Sequence, residues 1–370
     1  MTYEEMLQTK VAFGTGERLI DRFAELREEL GLDGIVSELN AGGLIPEEGT
    51  RGGRTLVRPL SFGKEDPAMR IAVLDDYQSV AESLADWSQL PTGTQVEFFS
   101  GHLTSEDALA SRLADFDVVM GMRERTPFPR ALLERLPRLR LLVTTGRRNA
   151  SFDIDAATDL GIAVCGTDGA GEGPAELTWG LILGIVRQIP LEDRLSREGK
   201  WGTTVGVGLK GKTIGLLGLG HIGSLVARVA NAFDMNVIAW SQNLTAARAT
   251  ECGATLGGKG RALSGFRHLV RPPCAQGPIV NEVALVDALH RRAIAGAALD
   301  TFDVEPLPEN HPLLQLDNTL ICPHLGYVTD DSYRAMYAGV IEDIRAFASG
   351  EPVRVINEPV LNTTQFRGFQ

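Results

Sequence analysis

The stretch from Lys212 to Gly223, KTIGLLGLGHIG, constrains this chain more than any other. Thr213 to Leu217 is an apolar run of strand length. Ser224 to Phe233 carries Leu225, Val226, Val229, Ala230 and Phe233 at helical spacing. Between them stand Gly218, Gly220 and Gly223 in the pattern G-x-G-x-x-G. The first glycine permits a tight turn, the second a close approach of backbone to a pyrophosphate, and the third close packing of helix on strand. The helix N-terminus presents unpaired N–H groups and a partial positive charge to the phosphates. A second strand, Asn236 to Trp240, completes a βαβ unit of the dinucleotide-binding kind, with His221 and Ile222 inside the turn.

The end of that second strand bears on which cofactor binds. Ser241 lies 18 residues after Gly223, where an acidic residue would hold the ribose 2′-hydroxyl of NAD. No carboxylate is there to repel a 2′-phosphate. No arginine stands next to it to grip one, the nearest being Arg248. NAD and NADP both remain open on this reading.

A chain of 370 residues has room for two or three domains with full cores. Its net charge of −12 argues against nucleic acid and anionic membranes as partners. Residues 1–30 are charged throughout, unlike a signal peptide, and the longest apolar run, Leu177 to Val186, is too short to span a bilayer. Cys165, Cys252, Cys274 and Cys322 form no C-x-x-C pair, and the six histidines show no metal-ligand spacing. A cytoplasmic protein with reduced thiols and no metal is expected.

Residues 1–50 contain an amphipathic helical stripe, Glu17 to Leu30, and a short strand-like run, Gly34 to Glu38. Residues 51–68, rich in Arg, Gly and Pro, read as linker. From Met69 onward strands (Arg70–Leu74, Val96–Phe99, Val118–Met122, Leu141–Thr144) alternate with helices such as Arg130–Leu136, which predicts a parallel α/β sheet. Pro174 to Gln188 reads as a buried helix. Asp330 to Ala348 reads as a long helix leading to a strand, Val353 to Ile356. The expected organisation is an N-terminal fragment (1–50), a linker (51–68) and the first part of a substrate domain (69–170). A dinucleotide domain (171–325), a return to the substrate domain (326–362) and a tail (363–370) follow.

Hydride transfer to a carbonyl needs a proton donor beside it. His324 lies in Cys322-Pro-His-Leu-Gly326, just past the predicted strand Thr319–Ile321, and Glu305 follows another strand end in Leu299-Asp-Thr-Phe-Asp-Val-Glu-Pro306. A carboxylate against the imidazole would fix its tautomer and raise its basicity. Spacing alone leaves His324 as either a loop histidine or an acid–base group.

With these residues in view, the chain from Met69 to about Leu361 resembles the D-isomer-specific 2-hydroxyacid dehydrogenases. The resemblance is carried by GLGHIG at 218–223, GPIVNEVALVDAL at 277–289, IAGAALDTFDVEPLPENHPL at 294–313 and NTLICPHLGYVT at 318–329. It implies an α/β fold of two Rossmann-like domains, a flavodoxin-like substrate domain interrupted by an NAD(P)-binding Rossmann domain. It implies NAD or NADP as cofactor, a small 2-oxoacid or 2-hydroxyacid as substrate, and a homodimer. His324 takes the acid–base role, Glu305 is its partner, and Asp300 lies on the nicotinamide side. TTGRRNASFD at 144–153 resembles the family's substrate loop, so backbone at Thr145, Gly146 and Arg147 would face the substrate carboxylate. Arg147 and Arg148 are otherwise a solvated basic pair.

Three departures stand out. The family's essential arginine, directly before the glycine of GPIV, is Gln276 here. Glutamine carries no charge and cannot form a bidentate fork, a loss of about 3 kcal/mol or roughly a hundredfold in rate. Second, only 21 residues separate Thr255 from Gly277, where a further strand, helix and strand need about 30 or more. The cofactor domain is therefore expected to be shortened near 256–276, with His268 to Val270 the remnant of one strand. Third, residues 13–48 resemble the C-terminal end of bacterial luciferase-like flavin-dependent monooxygenases, without the barrel that binds flavin. A fused remnant with no flavin function is expected. The alternative reading of the whole chain is a catalytically inactive dinucleotide-binding protein or a damaged fusion product.

Overall fold

The computed structural model describes residues 34–37, 69–168, 171–258, 268–271 and 280–368. The chain divides into two compact units, one of residues 1–45 and 172–328, the other of 46–171 and 329–370.

In chain order the first described element is β1 (Gly34–Ser37), which belongs to the first unit. The second unit then begins with β2 (Arg70–Val73), α1 (Ala81–Leu84), β3 (Gln95–Phe98), α2 (Glu106–Leu113) and β4 (Val118–Gly121). It continues with α3 (Arg130–Leu133), β5 (Leu141–Thr144), α4 (Ile154–Asp159) and β6 (Ala163–Gly166). Its five strands are parallel in the order β3-β2-β4-β5-β6. This is the flavodoxin-like arrangement. Every residue of β4, β5 and β6 is buried, because helices cover both faces of a parallel sheet and its strands read as unbroken apolar runs. That is also why β6, with its short Ala-Val-Cys-Gly sequence, gives little signal by alternation.

The first unit resumes with α5 (Gly173–Val186), α6 (Ile189–Arg197), β7 (Thr213–Leu217), α7 (His221–Ala232), β8 (Asn236–Trp240), α8 (Ala246–Glu251) and β9 (Thr255–Leu256). After these come β10 (His268–Arg271), α9 (Glu282–His290), β11 (Gly296–Leu299) and β12 (Thr319–Ile321). Its seven strands are all parallel, in the order β12-β11-β10-β1-β7-β8-β9. Helix α5 is apolar on nearly every side and packs with β7, β8, β10 and α7 in one core through Trp179, Ile182, Ile185, Ile214, Val226, Ala239 and Val270. Asn281, the asparagine of GPIVNE, caps α9 by accepting the Ala284 N–H at 3.0 Å.

Helix α10 (Asp330–Ala348) closes the second unit. Thr329 caps it, and Tyr333, Met336, Tyr337, Val340, Ile341, Ile344 and Phe347 form its buried stripe against β5, β6 and α1.

Two expectations need correction. The segment Val353–Ile356 is no strand of the sheet: it makes one antiparallel bridge, Val355 to Cys165. Two backbone bonds make that bridge, Ile356 N–H to the Val164 carbonyl at 2.7 Å and Gly166 N–H to the Arg354 carbonyl at 3.2 Å, and a side chain stands in for the next rung. Asn357 accepts the Val164 N–H at 2.8 Å and donates to the Ile162 carbonyl at 2.9 Å, replacing the bonds of a strand rung. The run at Gly34, read as part of a separate fragment, is the central strand of the seven-stranded sheet. It pairs with β7 from Gly34↔Ile214 to Ser37↔Leu217, and with β10 at Ile35↔Leu269 and Val36↔Val270. Backbone pairing needs no particular side chains, so a sequence of unrelated resemblance can fill such a slot. The predicted helix Glu17–Leu30 and the linker lie outside the described residues.

Candidate active site

The glycine turn lies at the carboxyl end of β7. Gly218 has φ +110°, a conformation that a Cβ strongly disfavours, and its N–H donates to the Trp240 carbonyl at 2.8 Å. Gly220 is the N-cap of α7 and offers no side chain to cap it, which leaves the first turn of the helix for a ligand's oxygens. His221 is exposed, Ile222 half-buried and Gly223 buried against the sheet. Because Leu217 pairs with Trp240, Ser241 falls on the next rung beside Gly218, half-buried, with its carbonyl accepting the Leu244 N–H at 3.3 Å. A turn free of side chains leading to an uncapped helix start fits a dinucleotide pyrophosphate.

A second group of residues gathers at the carboxyl ends of β11 and β12. These strands are paired at Leu299↔Ile321, so the segments that follow them leave the same edge of the sheet. His324 Nδ1 lies 2.7 Å from Glu305 Oε2. The other oxygen of Glu305 accepts the Phe302 N–H at 2.9 Å, so the carboxylate is gripped at both ends. His324 has φ +54°, unusual for a residue with a Cβ. The loop is held in that form by Asp300, fully buried, whose two oxygens accept the N–H groups of Leu325 at 2.7 Å and Gly326 at 3.1 Å. Burial pushes the Asp300 carboxyl up to about 6, against the opposing pull of those two N–H groups and of His324. The Tyr327 ring meets His324 edge-on at 5.4 Å.

Two residues that sequence reasoning left without a role support this loop. Glu282, at the first turn of α9, accepts the Asp303 N–H at 3.1 Å and lies 3.1 Å from His311 Nε2. Both stand inside the motifs at 277–289 and 294–313. Nothing in their spacing announces a contact made across 29 residues. Gln276, by contrast, lies outside the described residues.

The glycine turn and the His324–Glu305 pair share the carboxyl edge of one sheet. β7 and β11 are three strand spacings apart, about 14 Å at ~4.8 Å each.

In the second unit, Thr145 and Gly146 follow β5. The Thr145 N–H donates to the Gly121 carbonyl at 3.3 Å and that of Gly146 to Thr167 Oγ1 at 2.9 Å. Thr145 itself is buried, its hydroxyl accepting the Arg123 N–H at 2.9 Å. Arg147 is exposed and pairs with Asp168 at 3.0 Å. Just past the end of β2, buried Asp75 lies 3.1 Å from His102 Nδ1 and accepts the Thr126 hydroxyl at 2.6 Å. Arg125 stacks over Tyr77 at 4.2 Å. Among the described residues no cluster of His, Cys, Asp and Glu could hold a metal ion, and no helix is long and apolar enough to cross a membrane.

A parallel sheet with a glycine turn at its order reversal is the arrangement of a Rossmann dinucleotide-binding unit, and here a histidine–carboxylate pair stands on the same edge. The comparisons narrow the class. Residues 179–262 and 273–326 match the family model of the D-isomer specific 2-hydroxyacid dehydrogenase, NAD binding domain. A glyoxylate reductase of Aeropyrum pernix is 34% identical over 275 residues, 63% of this chain and 81% of that protein. A D-3-phosphoglycerate dehydrogenase of Archaeoglobus fulgidus is 30% identical over 319 residues, 78% of this chain but 60% of its own longer length. The crystal structure of a phosphoglycerate oxidoreductase from Vibrio cholerae superposes with a TM-score of 0.70 at 31% identity, covering 76% of this chain and 99% of that one. The chain belongs to the D-isomer-specific 2-hydroxyacid dehydrogenase family.

Proposed function

We propose that this chain reduces a small 2-oxoacid such as glyoxylate to the 2-hydroxyacid with NADH or NADPH, and that Gln276 holds its turnover low. The observation that carries the reading is the His324–Glu305 pair, 2.7 Å apart, on the same sheet edge as the glycine turn. With Nδ1 turned to the carboxylate, the Nε2–H of the protonated ring is the proton donor to the substrate oxygen. Glu305 orients the ring and stabilises its cation. Asp300 positions the ring by fixing the backbone that follows it. Gly218, Gly220 and the start of α7 hold the pyrophosphate. The nicotinamide, when bound, supplies the hydride that reaches C2 of the substrate. Ser241 neither repels nor grips a 2′-phosphate, so both cofactors bind with affinities of the same order.

Gln276 favours a second reading, a dinucleotide binder that does not turn over. Titration of the purified protein with NADH and NADPH, followed by glyoxylate and hydroxypyruvate assays on the wild type and Gln276→Arg, separates the two. Saturable binding with weak wild-type turnover that rises about a hundredfold in the variant supports the enzyme. Binding with turnover only in the variant leaves a binder. Absence of binding overturns both.

A further inference from the structure

The central strand of the seven-stranded sheet comes from far outside the contiguous sequence of its unit. β1 ends at Ser37, and β7, the strand it pairs with, begins only at Thr213. Without β1, the sheet is two three-stranded pieces, β7-β8-β9 and β10-β11-β12. Their inner edges would stand about 10 Å apart, two strand spacings, each with a row of unpaired N–H and C=O groups. Both edges are interior ones. Ile214 and Leu216 on β7 and Val270 on β10 are buried in the core shared with α5.

The chain around the slot cannot fill it. Only residues 257–267 connect β9, which ends at Leu256, to β10, which begins at His268. A parallel strand inserted there needs a crossover on either side, and each takes a dozen residues or more. The position also matters for the ligand. β1 stands where the strand order reverses, and its Ser37 pairs with Leu217, the residue before Gly218. Ligands of open parallel sheets bind in the crevice at that point.

We infer that the amino-terminal segment is a donor strand: Gly34–Ser37 completes the sheet of the cofactor unit and forms one wall of its dinucleotide crevice. The cofactor unit is thus closed by a piece of the same chain that lies on the far side of the other unit in sequence.

The test cuts the chain without altering the strand. A specific protease site is placed within residues 51–68 of the full-length protein, the purified protein is cleaved, and the products are separated by gel filtration. A donor strand keeps residues 1–50 bound to the remainder, read by mass, and leaves the NADH dissociation constant within about twofold of the uncut value. The same cleavage on Ile35→Pro/Val36→Pro, which removes one ladder donor toward each neighbour, releases the fragment and weakens NADH binding about tenfold or more. Hydrogen exchange at Gly215, Leu217 and Val270, whose N–H groups face β1, rises in that variant and stays slow in the cleaved wild type. If residues 1–50 elute alone from the cleaved wild type while those amides remain protected, the donor strand is overturned. Fragment retention and exchange do not depend on cofactor, so an inactive or non-binding protein still decides the question.

Discussion

Glu305 Oε2 lies 2.7 Å from His324 Nδ1 while its Oε1 accepts the Phe302 N–H at 2.9 Å, which ties the imidazole to the backbone three residues before the carboxylate. The ring cannot turn without breaking a charge-assisted contact. Replacing Glu305 by Gln keeps the Phe302 contact and loses the charge. Reduction of glyoxylate is expected to fall about 10- to 100-fold in kcat/KM. An unchanged kcat/KM would mean that the carboxylate does not act on the ring.

His324→Gln removes the proposed proton donor and leaves the glycine turn untouched. Turnover is expected to drop by about 10²- to 10⁴-fold, with NADH binding unchanged in a fluorescence titration. A variant that loses binding and turnover together would place His324 in the loop's structure instead.

Asp300 supplies a pH dependence of stability with a definite sign. Its carboxyl is pushed from 3.8 up to about 6 by burial. Between roughly pH 4 and pH 6 the folded chain holds a proton that the unfolded chain releases, so stability falls as pH rises through that window. A rise of that size corresponds to about 3 kcal/mol. The first unit is expected to unfold at higher denaturant at pH 4.5 than at pH 7.5, and Asp300→Asn to flatten that difference. Asp343, pushed by burial to about 7 despite its contact with Arg354 at 2.8 Å, contributes the same sign in the second unit.

Gly218→Ala forces a Cβ onto a backbone at φ +110°. A loss of about 1–3 kcal/mol is expected, shared between stability and NADH affinity. Gly180→Ala, inside α5 with open space where its Cβ would point, is the matching control: it should leave NADH affinity unchanged and raise stability by about 0.5–1 kcal/mol.

Asn357→Ala deletes three hydrogen bonds in the second unit, to Val164 N, Ile162 O and Thr158 Oγ1. About 2–3 kcal/mol of that unit's stability should go, read by thermal unfolding, while NADH binding by the first unit persists.

Strand β7, the turn at Gly218 and helix α7 are legible in the sequence because they are local. An apolar run, a backbone that needs φ above zero and a helical stripe specify them within about 20 residues. Helix α10 spans Asp330–Ala348 as its sequence reads, and β12 and β8 match their apolar runs residue for residue. His324 and Glu305 can be named from their motifs, yet their 2.7 Å contact is made by the register of β11 on β12 and by the grip of Asp300 on the Leu325 and Gly326 amides. Glu282 and His311 join that site only through folding. The strand at Gly34 shows the limit most plainly. Its four residues carry a weak β signal and no address, because a parallel rung is made by backbone groups that nearly every residue has. Which strand it joins depends on an open slot between β7 and β10, a property of the assembled sheet and of no segment within it.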